Sequence, residues 1–198
     1  QAQPAAEVDF EACVALGIDV VRRSTGGRAI LHTDELTYSL TAPESDPRVA
    51  GGIVQSYRKI SAGLLEGLHL LNIPGIQSDR QSTVHNPKSE IRKPKSELSP
   101  VCFEVPSHYE ITAGGKKLVG SAQVRKGGVL LQDGAIPLFG DIARICQVLV
   151  SPPNPAHVRA RATTVESALG HAVSFGEAAA ALAQGLAQRL GLGHEVLC

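Results

Sequence analysis

Alternating apolar and polar residues, divided by glycine pairs, fill the stretch from 102 to 138 and constrain the fold more than any other feature. Alternation with a period of two is typical of strands, and two adjacent glycines supply the left-handed backbone that tight hairpin turns require. Such pairs occur at 114–115 and at 127–128. The stretch therefore predicts an antiparallel meander with strands at residues 102–105, 109–112, 117–125 and 129–131.

Helical periodicity flanks this predicted sheet on both sides. Apolar residues recur every three or four positions between residues 47 and 72, and again between 175 and 190, where Ser174 and Glu177 form a capping box. The pattern predicts a mostly antiparallel α+β fold with packed helices. The remaining predicted elements are helices at residues 4–16 and 142–150 and short strands at residues 18–21, 29–31 and 36–41.

The chain is 198 residues long, which predicts one domain over residues 1–198 with a single core. Residues 77–99 are polar and rich in charge, and such a segment cannot bury enough apolar surface to order itself, so it predicts a flexible loop. The first nine residues, QAQPAAEVD, resemble a loop that enters a helix, and we expect the elements that open this fold to be missing.

Charge and composition exclude several classes of protein. The 19 basic and 19 acidic residues leave no net charge, which argues against a nucleic-acid binder that depends on phosphate contacts. No apolar run approaches the roughly 20 residues needed to span a bilayer, so no membrane association is expected. The four cysteines are far apart and have no zinc-site spacing. They predict free thiols, no metal site and a cytoplasmic location.

Cys102 and Lys117 are the candidate reactive groups of the predicted sheet. A thiol can form a thioester and an amine can polarise or receive an acyl group, so the two outline an acyl-transfer site. Because side chains alternate across a strand, one of Lys116 and Lys117 points to the inner face and the other points outward. Taken alone, a strand cysteine is usually a small buried hydrophobe, and a hairpin lysine is usually solvated.

The glycine pair of RRSTGGR, residues 22–28, is a second candidate for binding. Adjacent glycines let the backbone approach a ligand closely and aim amide hydrogens at it. The segment lacks the lysine and the spacing of a phosphate-binding loop, so it does not indicate a nucleoside triphosphate site. A glycine pair after a strand is most often only a tight turn.

Six segments of the chain, in their order, resemble one known family. They are RRSTGGRAILH, ELTYSL, CFEVPSHYEI, GGKKLVGSAQVRKGGVLLQ, DGAIPL and ATTVESALG. The resemblance is to the lipoate/octanoate transferase family, which shares a catalytic fold with biotin protein ligases. It runs from Ala2 to Leu190, and it is closest to the cysteine-dependent octanoyltransferases.

The resemblance implies a tunnel for a medium-chain acyl group between the glycine turn and the GSAQ strand. Cys102, in VCF, matches the nucleophile of the family, and Lys117 matches its essential lysine. The implied acyl-binding residues are Arg23, Gly26, Gly27, Ala29 and His32 on one side and Gly120, Ser121 and Ala122 on the opposite wall.

The implied reaction moves an octanoyl group from octanoyl acyl carrier protein, through a thioester on Cys102, to a lysine of a lipoyl domain or of the glycine cleavage H protein. No ATP and no other cofactor is implied. Two alternatives stay open: an ATP-dependent lipoate-protein ligase in which Cys102 is a bystander, and a non-catalytic module that binds acyl groups or lipoyl domains. The chain departs from the family at Asp133, which precedes Gly134 where the family commonly has a histidine.

Overall fold

The computed structural model describes residues 5–25, 28–78 and 110–193, and in these ranges it has six strands and five α-helices. The strands are β1 (Glu35–Pro43), β2 (Ile76–Ser78), β3 (Ile111–Ala113), β4 (Lys116–Lys117), β5 (Gly120–Lys126) and β6 (Val129–Pro137). The helices are α1 (Phe10–Ala15), α2 (Ile53–Leu70), α3 (Pro155–Arg161), α4 (Val165–Leu169) and α5 (Phe175–Leu190). Ala5–Glu7 and Ile142–Val148 are 3₁₀ helices. The predicted α+β class is confirmed.

The main sheet has the strand order β1-β6-β5 and is antiparallel throughout. Gly127 and Gly128 connect β5 to β6 with φ angles of +60° and +78°. Positive φ at both central residues is the geometry of a two-residue hairpin turn whose twist matches that of the strands. The hairpin predicted from this glycine pair is confirmed, and β6 runs six residues beyond the predicted end at Leu131, to Pro137.

The small sheet has the order β2-β3-β4, and the chain leaves it at Leu118 and Val119 to enter the main sheet. Leu118 is 0% exposed and Val119 is 4% exposed, and both of their backbone N–H groups point to the carbonyl of Ile111. Strand β4 ends at Lys117 in the small sheet, and β5 begins at Gly120 in the main sheet. The predicted continuous strand over residues 117–125, and the single meander, are therefore wrong.

Helices α2 and α5 pack together over one face of the main sheet, and their contact is the most extensive between helices. The predicted helix of residues 47–72 is confirmed in its centre, but it begins at Ile53 because Gly51 has φ +116° and Gly52 is the N-cap. In α5, the Ser174 hydroxyl accepts a hydrogen bond from the Glu177 N–H at 3.2 Å, as the capping box predicts. Phe175, placed in the apolar stripe by its spacing, is instead 60% exposed.

Several short elements differ from those that the sequence predicts. Residues 18–21 are not a strand, and of residues 29–31 only Ala29 forms an isolated bridge. Ile76–Ser78 form strand β2, so the first two residues of the predicted loop are ordered by pairing with β3. The rest of that loop, residues 79–99, and the predicted strand 102–105 lie outside the described residues. Helix α3 begins at the last proline of SPPNP, residues 151–155, and α4 follows it. Neither helix was predicted.

Buried apolar side chains form three clusters instead of one core. The largest lies between α2, α5 and both sheets, and a smaller one joins α2 to the turn after β1. The remaining cluster packs α1 against the segment Ile142–Val148 and includes Cys13 and Cys146, whose thiols are not joined in a disulfide. Within the described ranges, no helix combines the length and the apolar character that crossing a bilayer requires.

The α2–α5 contact depends on glycine. A Cβ atom on Gly185 would lie 2.2 Å from the backbone nitrogen of Gly67 and 2.6 Å from the carbonyl oxygen of Gly63. Because those neighbours are backbone atoms of a helix, they cannot rotate away. We expect Gly185→Ala to lower the free energy of unfolding by about 1–3 kcal/mol through overpacking, measured by urea denaturation.

Gly176, in the first turn of the same helix, is the matched control. A Cβ atom added to Gly176 would have no neighbour within 4 Å. Gly176→Ala should leave stability unchanged or raise it by up to about 1 kcal/mol, because alanine is the better helix former. Equal effects of the two substitutions would contradict the close approach of α2 and α5.

Candidate functional site

The main sheet presents two chemically different faces, which we name the helix face and the outer face. Side chains alternate along each strand, so the partners Ser39, Asp133 and Ala122 share the outer face. Their neighbours Tyr38, Gln132 and Ser121 point to the helix face, beneath α2. Ser39 and Thr37 of β1 are exposed on the outer face.

Asp133 is the central carboxylate of the outer face. Its Oδ2 accepts a hydrogen bond from the hydroxyl of Thr25 at 3.2 Å, and Thr25 is only 4% exposed. Its Oδ1 is buried and has no hydrogen-bond partner among the described residues. The bond to Thr25 brings the loop of residues 22–32 onto β6, and it places Ala122 beside that loop through the β5–β6 pairing.

Arg23 and His32 are the predicted binding residues that this loop adds to the outer face. Arg23 donates from Nη2 to the carbonyl oxygen of Arg28 at 3.3 Å. His32 pairs through Nδ1 with the carboxylate of Glu35. That hydrogen bond raises the pKa of His32 above its ordinary value, against burial, and the charge of Asp133 adds to the rise. Gly26 and Gly27 themselves lie outside the described residues.

Two further predicted acyl-binding residues, Ala29 and Gly120, pack against other parts of the fold. Ala29 packs with Cys13 and Ile145 in the cluster beneath α1, so it anchors the loop. Gly120 is buried at the start of β5, opposite Ala135. The carbonyl oxygen of Gly120 would lie only 2.5 Å from a Cβ atom added to Gly134. That distance is too short for a side chain, which explains why β6 has glycine at this position.

Ser121 does not share a wall with Ala122, because successive residues of a strand point to opposite faces. The Tyr38 hydroxyl donates to Ser121 Oγ at 2.6 Å on the helix face. Burial raises the pKa of Tyr38 far above its ordinary value near 10, so this hydroxyl keeps its proton. The strand therefore separates Ser121 from Ala122, and the acyl-binding role of Gly120, Ser121 and Ala122 stays a prediction.

A chain of hydrogen bonds continues from Tyr38 across the helix face. Tyr38 accepts from Gln132 Nε2 at 2.9 Å, and Gln132 accepts from Gln123 Nε2 at 3.0 Å. Gln123 Oε1 lies 3.0 Å from the hydroxyl of Ser56 on α2. This chain of hydrogen bonds begins at Arg125, which donates to Ser56 at 2.8 Å and forms an ion pair with Glu44 at 3.2 Å.

This polar chain was missed from the sequence, although a signal for it exists. Gln132 and Ser56 are 0% exposed, and Leu130, two residues before Gln132, and Ile60, four residues after Ser56, are buried and apolar. Polar residues in the inward phase of an amphipathic pattern need partners, and finding several on facing elements indicates a network.

Lys117 lies in the small sheet and is 6% exposed, whereas Lys116 is exposed and donates to the carbonyl oxygen of Arg159 at 3.0 Å. The predicted opposite orientation of the two lysines is confirmed. Lys117 Nζ donates to Glu110 Oε1 at 2.6 Å, and both side chains are at most 10% exposed. The Lys117 carbonyl accepts from the Thr163 N–H at 3.0 Å, which ties β4 to the α3–α4 junction. Cys102 lies outside the described residues.

The family model of the lipoyl protein ligase A/B catalytic domain matches residues 1–187 of the chain. The chain belongs to this family. The resemblance drawn from the sequence motifs is thereby confirmed.

Among the described residues, no three or more His, Cys, Asp or Glu side chains come together as metal ligands.

Two curated relatives in this family are octanoyltransferases. The chain is 48% identical over 143 residues to octanoyltransferase LipM of Carboxydothermus hydrogenoformans, a match that covers 72% of this chain and 49% of the relative. It is 40% identical over 192 residues to octanoyltransferase LipM of Exiguobacterium sibiricum, over 94% of this chain and 68% of the relative. The chain thus spans about half to two thirds of the length of these relatives.

A solved structure of the family confirms the fold. A crystal structure of lipoate-protein ligase A bound with ATP superposes with a TM-score of 0.69 at 25% sequence identity, over 96% of this chain and 66% of that one. The predicted α+β, ligase-like catalytic fold with antiparallel sheets and packed helices is therefore correct, although the strands divide between two sheets.

The hydroxyl of Tyr38 connects two halves of the polar chain, and we expect Tyr38→Phe to destabilise the protein. The change leaves the buried Gln132 amide without its acceptor, at a cost of about 1–3 kcal/mol. Urea denaturation measures the difference. Ser39→Ala, on the exposed face of the same strand, is the control and should change stability by less than about 0.5 kcal/mol. A neutral Tyr38→Phe would show that the chain of hydrogen bonds does not stabilise this face.

The His32–Glu35 pair predicts a pH dependence. Because the folded-state pKa of His32 is raised, the pair's contribution to stability is complete below the unfolded-state pKa near 6.5 and is lost as pH rises through the higher folded-state pKa. We expect NMR titration to give a pKa above 6.5 for His32 and Glu35→Gln to lower it. Glu66→Gln, which removes a distant carboxylate paired with Arg189, should leave the titration unchanged. An unaltered His32 titration in Glu35→Gln would refute the pairing.

Proposed function

We propose that the chain is the catalytic part of an octanoyltransferase that acts in lipoate biosynthesis. The observation that carries this proposal is the 40–48% identity to octanoyltransferases, extending in one case over 94% of the chain. The buried position of Lys117 supports it, because a lysine held at 6% exposure is expensive to bury without a purpose for its amine.

The first half-reaction uses Cys102 as the nucleophile. Its thiolate attacks the carbonyl carbon of the octanoyl thioester on acyl carrier protein. The new C–S bond forms as the old one breaks, and the carrier leaves as a thiol after taking a proton. Exchange between two thioesters is nearly balanced in energy, so the step needs neither ATP nor another cofactor.

The second half-reaction transfers the acyl group to nitrogen. The ε-amine of a lysine in a lipoyl domain, or in the glycine cleavage H protein, attacks the enzyme thioester and gives an amide and a free thiol. Lys117 acts in both halves by donating a hydrogen bond to the carbonyl oxygen as negative charge develops on it. Since Lys117 pairs with Glu110, it acts at short range as a donor and contributes little net charge to its distant surroundings.

The outer face of the main sheet binds the acyl chain in this proposal. Arg23 and His32 border the loop that holds the glycine pair, and Ala122 provides a small apolar surface opposite. Gly120 sets the start of that strand. Ser121 supports the surface from beneath through its bond to Tyr38, as a positioning residue. Cys13 and Cys146, which form no disulfide, suit a cytoplasmic enzyme, because cysteines stay reduced in that compartment.

The alternative reactions differ in what they consume. A lipoate-protein ligase would activate free lipoate with ATP, and the solved structure with the same fold has ATP bound. A non-catalytic module would bind an acyl group or a lipoyl domain and transfer nothing.

The test is to incubate the full-length natural protein with octanoyl acyl carrier protein in the absence of ATP. We expect the mass of one octanoyl group to appear on the protein by mass spectrometry and to be removed by hydroxylamine. Cys102→Ser should abolish the hydroxylamine-sensitive mass. Acylation that appears only when ATP and free lipoate are supplied favours the ligase, and no acylation under either condition favours the binding module.

Lys117 and Lys116 form a matched pair for the same assay, because the first is buried and the second exposed. Lys117→Met should slow acylation about 10²- to 10³-fold, the usual effect of removing one oxyanion donor. Lys116→Met should acylate within about twofold of the unaltered protein. The thermal unfolding midpoint of each variant separates lost chemistry from lost folding, since breaking the Lys117–Glu110 pair also destabilises the protein. Normal acylation by a folded Lys117→Met would exclude this role.

A further inference from the structure

Thr25 is buried in a part of the chain that otherwise exposes its side chains. It is 4% exposed, whereas Val21, four residues earlier, is 83% exposed and Ser24 is exposed as well. Burial of a valine side chain is favourable, but burial of a hydroxyl is costly unless the hydroxyl is hydrogen-bonded. The chain therefore buries the polar side chain and exposes the apolar one, and the partner of Thr25 explains this choice.

That partner is Asp133 of the central strand β6. The Thr25 hydroxyl donates to Asp133 Oδ2 at 3.2 Å, and the other carboxylate oxygen, Oδ1, is buried. A hydrogen bond to a carboxylate is stronger than one between neutral groups. The two residues are 108 positions apart, so this bond joins two distant parts of the chain. We therefore assign the pair to holding the loop of residues 22–32 on the sheet, since Thr25 and Oδ1 are closed to solvent.

A second set of contacts holds the loop on the other side of its glycine pair. The carbonyl oxygen of Arg28 accepts a hydrogen bond from Arg23 Nη2 at 3.3 Å, and Ala29 packs in the cluster beneath α1. Thr25 and Arg28 flank the glycine pair in the sequence, so both described neighbours of that pair are held by contacts. Glycine loses more conformational freedom on folding than any other residue, so fixed flanking residues matter most beside a glycine pair.

The bond to Asp133 sets the loop relative to the strands of the main sheet. Asp133 lies directly across from Ala122 of β5. His32, at the end of the loop, is influenced by the same carboxylate: the hydrogen bond to Glu35 raises the pKa of His32 most, and the charge of Asp133 adds to the rise. The loop residues and the strand residue that bind the acyl chain in the proposed function are therefore positioned relative to one another through Asp133.

We propose that the hydrogen bond between Thr25 and Asp133 positions the loop of residues 22–32 against the main sheet and thereby sets how strongly the site prefers a medium-length acyl chain. The inference rests on the proposed function and adds two positioning residues to it, which act through Arg23, His32 and Ala122. Each methylene that a bound chain buries strengthens its binding about fourfold. A loop that moves away from the sheet therefore loses more affinity for an octanoyl group than for a shorter acyl group.

The test compares octanoyl and butyryl acyl carrier protein as donors to the full-length natural protein, without ATP. Mass spectrometry follows the formation of the acyl-enzyme, and the readout is the ratio of the second-order rate constants of loading from the two donors. An unfolded fraction of the protein lowers both rate constants equally, so the ratio reports on the site and not on stability. Hydrogen exchange of the loop of residues 22–32 is measured on the same preparations without donor.

Thr25→Val keeps the shape of the side chain and removes the hydroxyl. We expect it to lower the octanoyl-to-butyryl ratio about tenfold, equivalent to losing contact with one or two methylenes, and to speed hydrogen exchange in the loop. Thr25→Ser keeps the hydroxyl and should retain the ratio within about threefold. Asp133→Ala should act as Thr25→Val does, and the double variant should be no worse than either single variant, because both changes remove the same bond.

Thr164 provides the matched control, because it is also a buried threonine. It is 2% exposed, and its hydroxyl accepts a hydrogen bond from the Ser167 N–H at 3.1 Å at the start of α4. Thr164→Val should lower the thermal unfolding midpoint through the loss of this cap but leave the donor ratio within about twofold of the unaltered protein.

The outcomes separate this inference from the proposed function. A folded Thr25→Val protein with an unchanged donor ratio overturns the inference, whether or not its loop exchanges faster. An equal fall of the ratio in Thr164→Val also overturns it, because the effect would then follow from lost stability. Failure of the unaltered protein to load from either donor without ATP overturns the proposed function and the preference assigned to the site, and hydrogen exchange then decides separately whether the bond holds the loop.

Discussion

The position of β6 between β1 and β5 is the constraint on which both faces of the main sheet depend. A central strand is paired along both of its edges, so its register fixes the side chains of all three strands. A slip of one residue would send Asp133 to the helix face and Gln132 to the outer face. The hairpin at Gly127 and Gly128 prevents such a slip on one edge, and the close contact of Gly134 with Tyr38 and Gly120 resists it on both.

The helix face shows why this register is strongly specified. An apolar face would tolerate small displacements, whereas the chain from Arg125 to Ser121 requires each donor to meet its acceptor within about 3 Å. The bonds from Gln123 through Gln132 and Tyr38 to Ser121 point in one direction, and hydrogen bonds aligned in this way polarise one another. The stabilisation of the sheet is therefore coupled to the position of Ser121, the neighbour of Ala122 on β5.

The parts of the fold that were predicted from sequence are those set by local rules, and the errors arise where tertiary contacts override local pattern. The glycine pair at 127–128 has one favourable hairpin geometry, and the opposite orientation of Lys116 and Lys117 follows from strand alternation alone. Leu118 and Val119 have the pattern of strand residues, but both are buried because the chain passes between two sheets at that point. For the candidate site, the sequence motif identifies the residues but not the face of the sheet on which each of them lies. The family pattern groups Ser121 with Ala122, and only the strand pairing shows that the sheet separates them.

The two half-reactions of the proposed transfer make opposite electrostatic demands on the site. A developing oxyanion is stabilised by a cation such as Lys117, but a bare cation near the thioester would repel the ammonium of the acceptor lysine. Glu110 Oε1 lies 2.6 Å from Lys117 Nζ and offsets its positive charge at a distance, so the ion pair weakens this repulsion while Lys117 still acts on groups that touch it.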